Sequence, residues 1–65
     1  ETNRINQLVD LFEVHGTLTF TELFDPQATR SDVIVTFLAV LEMVKLHLLR
    51  ISQHLDSGVI RLFYQ

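Results

Sequence analysis

The sequence predicts an α+β domain with helices in its first two thirds and a β-hairpin at its end. Three observations lead there. Ile5, Leu8, Val9 and Phe12 recur at i, i+3, i+4 and i+7, one stripe on a helix of 3.6-residue period. Thr29 stands three residues before Asp32 at the start of a long apolar run, the spacing of a capping box with Asp in place of the usual Glu. Residues 48–54 and 59–64 alternate in polarity on either side of Asp56-Ser57-Gly58, a turn signal between two strands. With 65 residues, of which 48% are hydrophobic, the chain is expected to be one domain spanning 1–65, with enough apolar surface to close a core.

Each element has its own justification. The first helix is expected over residues 4–14, with Asn3 or Thr2 accepting a hydrogen bond from a free N–H at its start. Gly16 ends it, because glycine enters the left-handed conformation at little steric cost. Thr17 to Phe20 alternate in a β-favouring composition and predict a very short strand. Thr19 or Thr21 then precedes a short helix over about residues 20–24, with Phe20, Leu23 and Phe24 facing inward. Asp25-Pro26-Gln27 is a turn, since proline fixes φ and removes an N–H. Thr29 opens the longest helix, which runs to about Leu46. Its Val and Ile content favours a strand, but its length, its cap and the Glu42–Lys45 pair favour a helix. In the hairpin, Leu49, Ile51 and Gln53 share one face and Leu48, Arg50, Ser52 and His54 the other, while Ile60, Leu62 and Tyr64 lie together on the second strand. Helix, short strand, short helix, long helix, hairpin is the element order of a winged helix: three helices, a short strand and a C-terminal β-hairpin wing.

Composition narrows the function. The chain has no cysteine, so disulfides and thiolate metal sites are excluded. Five Lys and Arg face eight Asp and Glu, a net charge of −3. A nucleic-acid-binding domain usually carries a basic excess, so the expected partner is a protein rather than nucleic acid. No apolar run reaches the roughly 18 residues of a membrane span, and no membrane association is expected. The chain starts at Glu1 rather than Met, which suggests a fragment of a longer protein. His15, His47 and His54 fall in three separate elements without a carboxylate framework, and no Ser, His and Asp arrangement supports nucleophilic catalysis. An enzyme, a metal and a cofactor are therefore not expected. Asp10, Glu13, Glu22, Asp25 and Asp56 read as a solvated face. Arg50 and Arg61 stand near one another across the hairpin and read as solvated or paired.

The long helix carries the candidate site. At about 100° per residue, its densest apolar side holds Val33, Phe37, Val40, Leu41 and Val44, which is expected to face the first helix and the hairpin. Phe37 and Leu41, with Leu49, Ile60 and Leu62, are the expected core. The opposite side holds Val35, Thr36, Ala39, Met43 and Leu46, flanked by Asp32 and Glu42 and without a basic residue. A DNA-reading helix needs Arg, Lys, Asn or Gln on that side. A domain this small cannot bury a helix that is apolar nearly all round. The row Val35, Thr36, Ala39, Met43 and Leu46 is therefore expected to dock on a partner, helped by the hairpin edge at Arg61, Leu62 and Phe63.

The run from Thr29 to Lys45 resembles the segregation and condensation protein A family, the bacterial kleisins. The string carrying the resemblance is Arg30, one residue, Asp32, the branched apolar residues Val33, Ile34 and Val35, Thr36-Phe37-Leu38-Ala39, an apolar residue, then Leu41-Glu42. Phe20-Thr21-Glu22-Leu23-Phe24 fits too, as do Leu49 with Gln53, Gly58, and the pair Ile60 and Leu62. The resemblance covers roughly residues 18–62. The chain departs from it at His47, where the family usually has glycine, at Ser57, where it usually has Phe, and at Val59, where it often has an acid. The resemblance implies the C-terminal winged-helix domain of a kleisin. Such a domain binds the ATPase head of an SMC protein, on the side away from the coiled coil, in closing the ring used for chromosome condensation and segregation. The longer chain would also recruit a second small kleisin-associated subunit (ScpB-like). It would work in the cytoplasm, on the nucleoid, through the SMC complex. The competing reading is a DNA-binding winged helix of a transcription regulator, which the charge balance and the non-basic helix disfavour.

Overall fold

A computed structural model describes residues 2–65. The order of elements is α1 (Thr2–His15), β1 (Thr17–Thr19), a 3-10 helix (Phe20–Leu23), α2 (Arg30–Lys45), β2 (Leu49–Gln53) and β3 (Ile60–Tyr64). Among the described residues this makes two α-helices rather than the three helices expected. The anticipated short helix is a single 3-10 turn, because Pro26 and the Asp25 turn leave it no room to lengthen. The architecture is α+β, with a three-stranded antiparallel sheet, and is compatible with a winged helix.

Local chemistry sets the boundaries. α1 already includes Thr2 and Asn3, so neither stands at a cap position. Gly16, at φ +76°, donates to the Phe12 carbonyl at 2.7 Å and ends the helix as expected. The Glu22 carboxylate accepts from the Thr19 N–H at 2.7 Å and from its hydroxyl at 2.9 Å, which anchors the 3-10 turn. Asp25 Oδ1 accepts from the Gln27 N–H at 2.7 Å, and the Asp25 carbonyl from Ala28 N–H at 2.8 Å, closing the turn around Pro26. Thr29 and Asp32 form the expected capping box: the Thr29 hydroxyl oxygen accepts from Asp32 N–H, and Asp32 Oδ2 accepts from Thr29 N–H, both at 3.1 Å.

The far end of α2 closes with crossed hydrogen bonds. Leu48 N–H donates to the Met43 carbonyl at 2.8 Å and His47 N–H to the Val44 carbonyl at 3.0 Å, the paired bonds of a Schellman motif. That motif puts His47 at φ +63°, the position where glycine is usual.

The strand order is β1-β3-β2, so β3 is the central strand. Leu18 pairs with Leu62, and Leu62 with Ile51; Leu49 pairs with Tyr64, and Gln53 with Ile60. Within the strands the expected faces hold, whereas Leu48 and His54 lie outside β2 and Leu48 packs against the core alongside Leu49. The expectation that Arg61, Leu62 and Phe63 form a free edge does not: Thr17, Thr19 and Leu18 cover one side of β3 and β2 covers the other. The free edge of the hairpin is β2.

The core draws on every long element: Leu8 and Phe12 of α1, Leu18 of β1, Ala39, Val40 and Met43 of α2, Leu49 of β2 and Leu62 of β3. Ile5, Val9, Leu23, Ile60 and Tyr64 pack around it. The α1 stripe read from the sequence thus faces inward. On α2 the expectation holds in part: Val40 is buried and Val44 packs against the core, but Phe37 and Leu41 give way to residues expected outside. Ala39 and Met43 are 0% exposed and Thr36 is buried, whereas Phe37 is 47% and Leu41 45% exposed. Thr36, Ala39, Val40 and Met43 make up the side of α2 that packs. The Arg4 guanidinium on α1 seals this contact, donating to Thr36 Oγ1 at 2.6 Å and lying 3.5 Å from Asp32 Oδ1.

Candidate protein-docking surface

Of the eight residues expected to contact a partner, the structure buries Thr36, Ala39, Met43 and Leu62. Val35 and Phe63 are half-buried, and Leu46 and Arg61 are exposed. The four buried residues cannot form an outer row, and arginine at position 39 or 43 would enter the core rather than project from it. Leu46 lies at the C-cap of α2, while Arg61 and Phe63 lie on the outer face of the sheet, so the row is not one surface.

The structure exposes another one. Ile34, Phe37, Leu38 and Leu41 are each about half exposed, at 52%, 47%, 54% and 45%. They fall at i, i+3, i+4 and i+7 and form a continuous apolar stripe on α2 directly opposite the buried side. Val33, more weakly exposed, borders it. Phe37 meets Phe20 edge to face with ring centroids 6.1 Å apart, and Phe20 meets Phe24 likewise at 5.1 Å. This aromatic chain joins the stripe to the 3-10 turn and fixes the direction of the Phe37 ring. The sequence held the signal for the stripe, since the 34, 37, 38, 41 spacing is as regular as that of α1. The opposite row followed an equally apolar pattern, and bulk was a poor guide to which side a neighbouring helix covers.

Charge around the stripe is uneven. Arg30 and Lys45, at the two ends of α2, are exposed, and neither has an ion-pair partner among the described residues. Asp32 is turned away, held by Thr29 and Arg4. The Thr29 N–H, then the Thr29 hydroxyl, hold the Asp32 carboxyl below the usual carboxylate range; the Thr19 N–H and hydroxyl do the same for Glu22.

The outer sheet face is different in kind. Arg50 lies over the Phe63 ring at 5.3 Å from its centroid, and Arg61 pairs with Ser52 and Thr19 in register. Arg50 and Arg61 therefore sit diagonally on one face, as expected of them. A groove of about 390 Å³ there is lined by Ser52, His54, Ser57, Val59, Arg61 and Phe63, without the acid, base and nucleophile set that acyl or phosphoryl chemistry needs. Among the described residues no three His, Asp or Glu side chains gather as a metal site, and no helix is long and apolar enough to cross a membrane.

A three-stranded antiparallel sheet with two α-helices, the longer one apolar on both sides, defines a small α+β domain of winged-helix-like class. Over 60 residues the chain is 42% identical to Segregation and condensation protein A of Myxococcus xanthus (strain DK1622), a match covering 89% of this chain and 21% of that protein. The chain is a homologue of a stretch of segregation and condensation protein A, as its resemblance implied, and the match is consistent with the C-terminal domain of that family. The chain spans about a fifth of the length of the curated relative it matches. No protein-family model matches it.

Proposed function

We propose that this chain is the C-terminal winged-helix domain of a bacterial kleisin and that it binds the ATPase head of an SMC protein, without catalysis of its own. The observation that carries the reading is the outward stripe Ile34, Phe37, Leu38 and Leu41. Four large apolar side chains at helical spacing, left in water by a domain whose core is already closed, suit the apolar centre of a protein interface. Kleisin homology supports this choice of partner: within the longer chain this module would hold one head, closing the ring in the cytoplasm at the nucleoid, while a second small subunit binds elsewhere. Leu46, at the end of the same helix, extends the contact, and Val35 lies at its margin. Arg61 and Phe63 belong to a different face and are peripheral to it.

Calorimetric titration of the chain with an SMC head tests this. Leu38→Arg and Ile34→Arg should keep the wild-type circular dichroism spectrum and weaken head binding by more than about tenfold, or roughly 1.4 kcal/mol. If both variants fold and bind the head at wild-type affinity, the stripe is not the docking face. If the wild-type chain binds no SMC head, the reading itself falls.

A further inference from the structure

The outer face of α2 has a charge pattern that its apolar residues alone do not explain. Placed at about 100° per residue, Val33, Phe37, Arg30, Leu41, Ile34, Lys45, Leu38 and Ser31 fill a continuous arc of about 160°. That arc holds two cations and no carboxylate, in a chain with eight Asp and Glu and a net charge of −3. Glu42 stands just outside it, half-buried, and Asp32 lies on the far side against Arg4. The two cations bracket the stripe, one at each end of a helix about 22 Å long between them at 1.5 Å per residue.

We propose that this face is built for a different protein and against a second copy of itself: its partner surface is an apolar trough with a carboxylate at each end. The stripe is sterically self-complementary. In an antiparallel pair of α2 helices, Ile34 would meet Leu41 and Phe37 would meet Leu38 of the other copy. The same pairing sets Arg30 against Lys45 at both ends, and a parallel pair sets Arg30 on Arg30 and Lys45 on Lys45. Both two-fold arrangements place like charges together. Arg30 and Lys45 thus act as a selectivity device, disfavouring the homodimer and favouring an acidic-rimmed partner. Two cations over this length are too few for the phosphate neutralisation that a duplex-binding face needs. The identity of the partner as the SMC head rests on the function proposed above; the argument against self-association does not.

The test uses four chains: wild type, Arg30→Glu, Lys45→Glu and the double reversal. Sedimentation at low salt should find the wild type monomeric. Each single reversal now sets Glu against a cation at both ends of the antiparallel pair and should self-associate, and the double reversal should return to monomer. Calorimetry with an SMC head should show each reversal weakening binding by about threefold to tenfold at low salt, with the difference fading at high salt. A wild-type chain that dimerises, a double reversal that binds the head as tightly as the wild type at low salt, or wild-type chain recovered on anionic phosphatidylserine vesicles, overturns the proposal. Should no head bind at all, the partner reading fails and the sedimentation series still decides the charge argument.

Discussion

His47 is the residue whose conformation its own chemistry favours least. It holds φ +63° because the crossed hydrogen bonds after α2 demand a left-handed residue, and its side chain is exposed, so no packing compensates. A left-handed L-residue costs about 1–2 kcal/mol, and part of that is recovered by glycine. His47→Gly should therefore raise stability by about 0.5–1 kcal/mol in urea unfolding, and His47→Val should lower it. Equal midpoints for all three chains would mean that the motif does not hold position 47 in that conformation in solution. A second contrast decides which side of α2 is the core. Met43 is fully buried and Leu38 is 54% exposed. Met43→Ala should cost about 2–5 kcal/mol, enough to unfold much of so small a domain, whereas Leu38→Ala should shift stability by no more than about 0.5 kcal/mol. The reverse ranking by thermal melting would restore the face assignment that bulk alone suggests.

Capping carries the pH response at the level of elements. Asp32 and Glu22 each accept from a backbone N–H at the start of a helix, and these bonds lower both carboxyl pKa values in the fold. A lowered folded-state pKa makes the unfolded chain bind protons more readily, so this stabilisation is complete above the unfolded carboxylate range and is lost as pH falls through the lowered values. Stability should therefore decline below about pH 4, and the decline should be shallower in Asp32→Asn, read as urea midpoint against pH. An identical slope would show that the capping box does not couple folding to protonation. The elements themselves were legible in the sequence because each had a local signature: the α1 stripe, Gly16, the Thr29 and Asp32 pair, the alternation in the hairpin. Two features were not. The 3-10 turn read as a helix because Phe20, Leu23 and Phe24 have helical spacing, while only the backbone reveals how tightly it is wound. On α2, Val40 and Val44 were placed inward correctly, but Phe37 and Leu41 were misplaced because Val, Ile, Leu and Phe surround the helix, and what chose the packed side was α1, whose Arg4 reaches Thr36 across 32 residues of sequence.

At the scale of the whole molecule, the sheet order matters more than the strands. β3 comes last among the elements yet lies in the middle, pairing residue 61 with residue 19 on one side and residue 52 on the other. Tyr64 N–H also donates to the Gly16 carbonyl at 3.0 Å, and Gln65 N–H to Leu48 at 3.0 Å, so the same strand ties down the ends of both helices. That placement governs when the fold can exist during synthesis. Until residues 60–65 have emerged from the ribosome, β1 and β2 have no neighbour, Leu18 and Leu49 lack the Leu62 side chain that covers them, and α2 exposes apolar residues around its full circumference. These residues stay aggregation-prone until β3 is made and become protected in one late step, when a contact spanning some forty residues closes.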